Sequence, residues 1–400
     1  MINVFLVSLC GFLLSLYPKR NPLLPTQGLK LLARLSISVF APALTIYSTS
    51  AAMNWERFQQ ALVLILFSTF QNFLSLFVAR LFRCFHDDIR LAKVVEVAVG
   101  TPNQLSLPIM VMLSMCKSSV VNADFDDDSD VCGEVALSYL FIYAMGFYVS
   151  FWGYGYGTLA SLRKSTDPAT NPNTHIPTSP QTSTTTKSKL LNLATFLKKA
   201  VFNHMLVYVY VGVLIACFPA AQDTLYGDGG FLRPLGDALR TVGEPTVAVN
   251  CIIMSGSLAL TFSTNRAQQN KDEDNDDVEL SIISNKAGDV VTVEAAIAQI
   301  PPGKSIFLHS FLRLIVMPAV MISLLMVAVN SGLIPKEQRL IQIIIAVEAA
   351  SPSAQMMIVS LNELQIQDMA GSLAFMYLPH YCLSIFTITG WTTLAGNLIY

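Results

Sequence analysis

Ten apolar stretches, most of them about as long as a helix must be to cross a bilayer, divide this chain of 400 residues and restrict its fold more than any other feature. They run Ile2–Tyr17, Leu29–Ala52, Phe58–Leu81, Leu91–Met115, Val135–Leu162, Leu193–Phe218, Leu235–Phe262, Ile306–Val329, Leu340–Leu361 and Met369–Leu398. Lipid offers no partner to a backbone N–H or C=O, so such stretches must be helical. The composition agrees, with 13% charged residues against about 25% in soluble domains. The expected fold is therefore an all-α integral membrane protein of ten transmembrane helices. The first stretch has 16 residues and spans only about 24 Å of a core about 30 Å thick. It lacks the preceding basic residue of a cleaved signal peptide, and Lys19 and Arg20 follow it, so it reads as a short helix.

A formal net charge of −2 excludes the overall basic field of a nucleic-acid binder. Seven scattered cysteines, with no Cys-x-x-Cys and no His spaced as in a zinc site, give no metal site. The absence of a Gly-x-x-x-x-Gly-Lys-Ser/Thr motif argues against ATP drive. No cofactor is expected, the chain does not read as an enzyme, and the expected surroundings are lipid and a small solute. A homodimer is compatible with all of this.

Basic residues mark the cytoplasmic side of short loops. With the N-terminus outside, 17 Lys and Arg fall in cytoplasmic loops and five in the opposite loops. Both termini are therefore expected away from the cytoplasm. Ser165–Ser188 holds 12 Ser or Thr and four Pro in 24 residues, too polar to order itself by burial. It divides five apolar stretches from five, giving a first repeat over 1–163, a cytosolic linker over 164–192 and a second repeat over 193–400 with a cytosolic loop at 263–304. Odd halves, if duplicated, must lie inverted to one another, as in many secondary transporters.

The fourth stretch contains Gly100-Thr-Pro102-Asn103-Gln104-Leu-Ser106-Leu-Pro108, and the ninth contains Glu348-Ala-Ala-Ser351-Pro352-Ser353-Ala-Gln355. Both helices should break there. One proline kink in a membrane helix is ordinary packing. Matched breaks in two inverted halves point instead to a midplane substrate site, because unwound backbone survives only inside protein or beside a wet cavity. The half-helix N-termini that follow each break suit an anion. Candidate substrate contacts are Pro102, Asn103, Gln104, Pro108, Ser351, Pro352, Ser353 and Gln355. Pro42 and Pro245, with Ser255-Gly256-Ser257, read as close packing of a scaffold before ligand contact.

These residues resemble the auxin efflux carrier family, and within it the PIN-LIKES branch of plants and algae. The resemblance rests on Gly11-Phe-Leu-Leu, Val39-Phe40-Ala41-Pro42-Ala43-Leu44 and Asn103…Leu107-Pro108. It continues through Asp130-Val-Cys132-Gly133, Trp152-Gly-Tyr-Gly-Tyr156, Pro352-Ser-Ala354, Glu363-Leu364, Tyr377, Thr387 and Trp391. The branch's usual Gly-Asn-x-Gly-Asn is replaced here by Thr101-Pro102-Asn103-Gln104-Leu105-Ser106. The resemblance implies ten helices in two inverted repeats, with helices four and nine crossing at their prolines. It also implies a scaffold of helices one, two, six and seven, a substrate-contacting Asn at Asn103, and transport of auxin-like indole carboxylates at the endoplasmic reticulum membrane. The alternatives are the plasma membrane, another carboxylate as substrate, and a membrane receptor that does not transport.

Ionisable groups inside apolar segments are costly and are functional candidates by default. Glu348, one turn before Pro352, is the first coupling candidate and Glu96 its counterpart; Arg240 and Glu244 lie at a segment edge. Arg34, Arg313 and His309 lie near segment ends, where snorkelling accounts for them. Cys116 and Cys132 flank a loop expected to face an oxidising lumen, so a disulfide and two thiols are both open. The acidic runs at 124–130 and 272–277 lack the Gly and Glu of a calcium loop and read as solvated charge.

Overall fold

A computed structural model describes residues 2–17, 23–117, 121, 125, 128–164, 204–273 and 301–400. The Ser/Thr/Pro linker at 165–188, Asp124, Asp126 and Asp127 of the acidic run, and most of the 263–304 loop lie outside those residues. The described residues are helical and form no strand. In order they are α1 (Ile2–Leu16), α2 (Thr26–Ala51), α3 (Trp55–Leu81), α4 (Ile89–Gly100), α5 (Ser106–Met115) and α6 (Ser129–Leu162). After the linker come α7 (His204–Cys217), α8 (Pro219–Tyr226), α9 (Arg233–Gly243) and α10 (Thr246–Glu273). The chain closes with α11 (Gly303–Asn330), α12 (Arg339–Ala350), α13 (Met356–Glu363) and α14 (Gln367–Ile399).

Among the described residues, six spans are long and apolar enough to cross a membrane: α2, α3, α6, α9 with α10, α11 and α14. The pair α7 and α8, bent by 102° at Phe218, makes a seventh if counted as one. The protein is a multi-pass membrane protein. Its helices start where the sequence supplies an acceptor for orphan N–H groups. Asn54 Oδ1 accepts from Arg57 N at 2.8 Å, Asp88 Oδ1 from Arg90 N at 2.7 Å, and Asp128 Oδ1 from Asp130 N and Val131 N at 3.0 and 3.2 Å. Asp128, exposed to solvent, thus also caps α6.

α1 packs on α10, and α7 packs on α2, with α9 also against α2. Small residues permit these approaches, as expected for Ser255-Gly256-Ser257. A methyl group at Gly11 would lie 2.7 Å from Ile252 Cα, and one at Gly256 would lie 2.7 Å from Ser15 Oγ. α8 joins this group by packing on α7 and α9, and the remaining elements form a second group: α3 against α6 and α4, α11 against α12, and α12 and α13 against α14. Within it, every residue of α12 from Leu340 to Ala350 is buried, and so is most of α4. Short helices that cannot cross a bilayer alone are thereby kept off the lipid. One boundary differs from the sequence reading. α10 runs on to Glu273, because the polar stretch after Phe262 is rich in good helix formers and can stay helical beyond the apolar span.

Candidate functional site

Both broken stretches are broken in the structure. α4 ends at Gly100 and α5 begins at Ser106; α12 ends at Ala350 and α13 begins at Met356. The residue before a proline is pushed towards extended backbone, and Thr101 and Ser351 are both extended, with ψ of 94° and 140°. Pro108 sits in the first turn of α5, where its missing N–H leaves nothing unsatisfied.

The two extended stretches cross and pair as a short antiparallel bridge at Pro102 and Ser353. Asn103 N donates to Pro352 O at 2.6 Å and Ala354 N donates to Thr101 O at 2.8 Å. Side chains satisfy the rest of the second break. Arg313 Nε donates to Ser351 O at 2.8 Å, Tyr381 Oη to Ser353 O at 2.7 Å and Tyr377 Oη to Ala354 O at 3.1 Å. Ser353 N donates to His380 Nε2 at 3.1 Å. A neutral His380 therefore carries its proton on Nδ1, 3.3 Å from Ser310 Oγ. His309 Nε2 lies 3.3 Å from Ser353 Oγ, and the two imidazole centroids are 4.5 Å apart. Unwound backbone survives here because these bonds satisfy it inside protein.

Of the expected contacts, Pro102, Asn103, Gln104 and Gln355 line one pocket. Asn103 Nδ2 donates to Tyr381 Oη at 3.1 Å. Gln104 Nε2 donates to Ser68 Oγ at 3.3 Å, while its Oε1 has no hydrogen-bond partner. Gln355 touches Cys251 Sγ at 3.7 Å. Ser351, Pro352 and Ser353 are buried behind that wall, and Pro108 is buried within α5. The opposite wall is one the sequence reading assigned to packing. Ala41, Leu44 and Thr45 follow one another around Pro42 on α2, and Thr246, Val247 and Asn250 follow Pro245 on α10. Phe147 and Tyr148 of α6 close one side, and no lining residue carries a charge. Neither α5 nor α13 has a side-chain cap at its N-terminus, so both present partial positive charge beside the lining residues that precede them.

The two carboxylates part company. Glu96 is tied to Arg83 by an ion pair and accepts from Tyr154 Oη at 3.0 Å. Glu348 is fully buried and neither of its carboxylate oxygens has a hydrogen-bond partner. Snorkelling fails for Arg313 and His309, both fully withdrawn from the surface. α11 begins at Gly303, so Arg313 lies ten residues in, about 15 Å along the axis. Arg34 is exposed, and Arg240 pairs with Glu244 at 2.9 Å on the surface. Tyr377 had entered only as a motif residue, and His380 and Tyr381 not at all. Their signal was a His beside Pro379 within an apolar span.

Cys116 and Cys132 are joined as a disulfide with a Cα–Cα distance of 5.6 Å. Residues 1–392 match the family described as membrane transport protein. No curated protein matches the chain.

Proposed function

Because the chain belongs to the membrane transport protein family, of the auxin efflux carrier type, we propose that it carries small organic anions by alternating access, auxin-like indole carboxylates first among them. The observation that carries this reading is the pocket where the two broken helices meet. Asn103, Gln104 and Gln355 offer amide donors on one wall, while Leu44, Leu105, Phe147, Val247 and Met356 offer apolar surface. An anion with one carboxylate and a flat apolar body fits that division. The carboxylate would sit by the amides and the uncapped starts of α5 and α13, and the ring against Phe147 and Tyr148. A dicarboxylate would leave its second charge against an uncharged wall.

We read ten spans in two inverted repeats. The exchanged packing of α1 on α10 and α7 on α2 is what a duplicated and inverted five-helix unit would give. On this reading α1, α2, α7, α9 and α10 form the scaffold, and the group containing both breaks moves against it as a secondary carrier or uniporter. The branch is PIN-LIKES, the membrane is that of the endoplasmic reticulum, and both termini face its lumen. A disulfide at Cys116–Cys132 supports the last point, since it suits an oxidising compartment. Efflux of labelled indole acetate from cells expressing the chain tests the substrate class, with other carboxylates as competitors. Efflux blocked by unlabelled indole acetate but not by dicarboxylates or bile-acid-like anions supports the reading; the opposite order of competition defeats it.

A further inference from the structure

Arg313 is the largest side chain fully withdrawn from the surface among the described residues. It sits in a π-helical stretch of α11, Leu312–Val316, a local widening often found at functional positions. Its target is the C-terminal end of α12, where the last carbonyls lack their i+4 amide and carry partial negative charge, and where Ser351 N reaches back to Glu348 O at 3.3 Å. Nε reaches Ser351 O at 2.8 Å, and Nη2 reaches Glu348 O at 3.2 Å and Ala349 O at 3.5 Å. Gln71 Nε2 adds a bond to Glu348 O at 3.3 Å, and Tyr143 Oη holds Gln71 Oε1 at 2.6 Å. The Glu348 carboxylate interacts electrostatically with Arg313 but lies outside ion-pair distance, and both its oxygens are buried without a hydrogen bond.

Half-helix C-termini and unwound carbonyls are where secondary carriers coordinate small cations. Here a side chain fills that place. Among the described residues no cationic side chain takes that place at the first break: Thr101 Oγ1 donates to Val97 O at 2.8 Å, Thr101 O is held by Ala354 N at 2.8 Å, and Glu96 is paired with Arg83. We propose that Arg313 is a tethered counter-cation: its guanidinium fills a cage of Glu348 O, Ala349 O and Ser351 O, and removing the side chain leaves there a site for a free monovalent cation. Guanidinium, which reproduces the planar fork, should bind that vacated cage better than Na⁺. When Glu348 is ionised, its charge and that of Arg313 cancel at the second break. Only the flux part of the test rests on the carrier reading above.

The test uses purified wild type and Arg313→Ala, melted in guanidinium, sodium or choline chloride at equal ionic strength and millimolar concentration. The proposal expects Arg313→Ala to melt lower in choline. Its Tm should rise with the logarithm of guanidinium concentration, while wild type responds alike to all three salts. A lowered Tm that no cation restores is the mark of a merely structural arginine and overturns it. Should Arg313→Ala fail to fold, the cycle of Arg313→Gln, Glu348→Gln and the double variant decides. The account expects the double variant to melt above the sum of its singles, because each single leaves one buried charge uncompensated; additivity overturns it. In proteoliposomes, indole acetate flux by wild type should not change when choline replaces sodium, and guanidinium should raise flux by Arg313→Ala at least tenfold. Sodium-dependent wild-type flux overturns the proposal. Wild type without any flux defeats the carrier reading, and the melting data still decide the cage.

Discussion

Asn103 donates its backbone N–H to the Pro352 carbonyl at 2.6 Å, across the point where two broken helices meet. Ala354 returns a bond to Thr101 at 2.8 Å. Each break leaves backbone groups that lipid cannot satisfy, and each supplies what the other lacks. Parting them would strand buried donors and acceptors at about 1–3 kcal/mol apiece, so α4, α5, α12 and α13 should move as one body.

Asn103→Ala and Gln355→Ala should weaken binding of an indole carboxylate more than they weaken folding. Each removes an amide donor from the pocket wall. A hydrogen bond to a charged group contributes about 1.5–3 kcal/mol, or roughly ten- to a hundredfold in affinity. Binding to the purified variants, set beside their Tm, checks this. Wild-type affinity with a lowered Tm would make both residues structural.

Gly212→Ala should destabilise the packing of α7 on α2, whereas Gly157→Ala should not. A methyl group at Gly212 would lie 2.9 Å from Thr49 Cβ and 3.1 Å from Ile46 O, while one at Gly157 meets nothing within 4 Å. Overpacking costs about 1–3 kcal/mol, and alanine's better helix propensity returns at most about 1 kcal/mol. The expected net loss is thus up to about 2 kcal/mol at Gly212 and a small gain at Gly157. Melting in detergent reads both.

The breaks were legible in the sequence because Gly100, Pro102 and Pro352 are costly inside an apolar span whatever surrounds them. The side chains that repair the second break were not. His309, Arg313, Tyr377, His380 and Tyr381 come from two other helices, and only tertiary packing brings them to Ser351–Ala354. The π-helical stretches at Ser36–Phe40, Phe151–Gly155 and Leu312–Val316 share no residue pattern, so packing sets them too. Without the widening in α11, position 313 read as a segment end. The wall from α2 and α10 was missed for a related reason. Small residues that let helices approach also leave room for a ligand, and sequence does not separate the two.

The contact between His86 and α11 should loosen in acid. His86 Nδ1 lies 2.9 Å from Ser305 Oγ. Burial first, then the neighbouring Lys304, holds the imidazole below its ordinary value of 6.5, with Asp87 opposing. The undocked chain therefore binds the proton more readily. Stability from this contact is fully present above about pH 6.5 and is lost as pH falls through the lowered folded value. Protection factors for residues 82–88, from hydrogen exchange, should fall between pH 7.5 and 5.5 in wild type and stay level in His86→Gln. An equal fall in both would remove His86 as the cause.

Loss of the Cys116–Cys132 bridge should cost about 3 kcal/mol, the chain-entropy value for a loop of about 15 residues. Cys132→Ser should melt lower than wild type and match reduced wild type. In sealed microsomes the bridge should resist an impermeant reductant until the membrane is opened. Reduction in intact vesicles would place this loop on the cytosolic side and reverse the topology.

Counterflow of labelled indole acetate in liposomes holding the purified protein tests the crossover site most directly. The account predicts that excess internal unlabelled indole acetate accelerates uptake by wild type, and that the Asn103→Ala, Gln355→Ala double variant loses at least tenfold of that exchange while still inserting and folding. Equal exchange by wild type and a folded double variant, or saturable binding with no exchange at all, would contradict it.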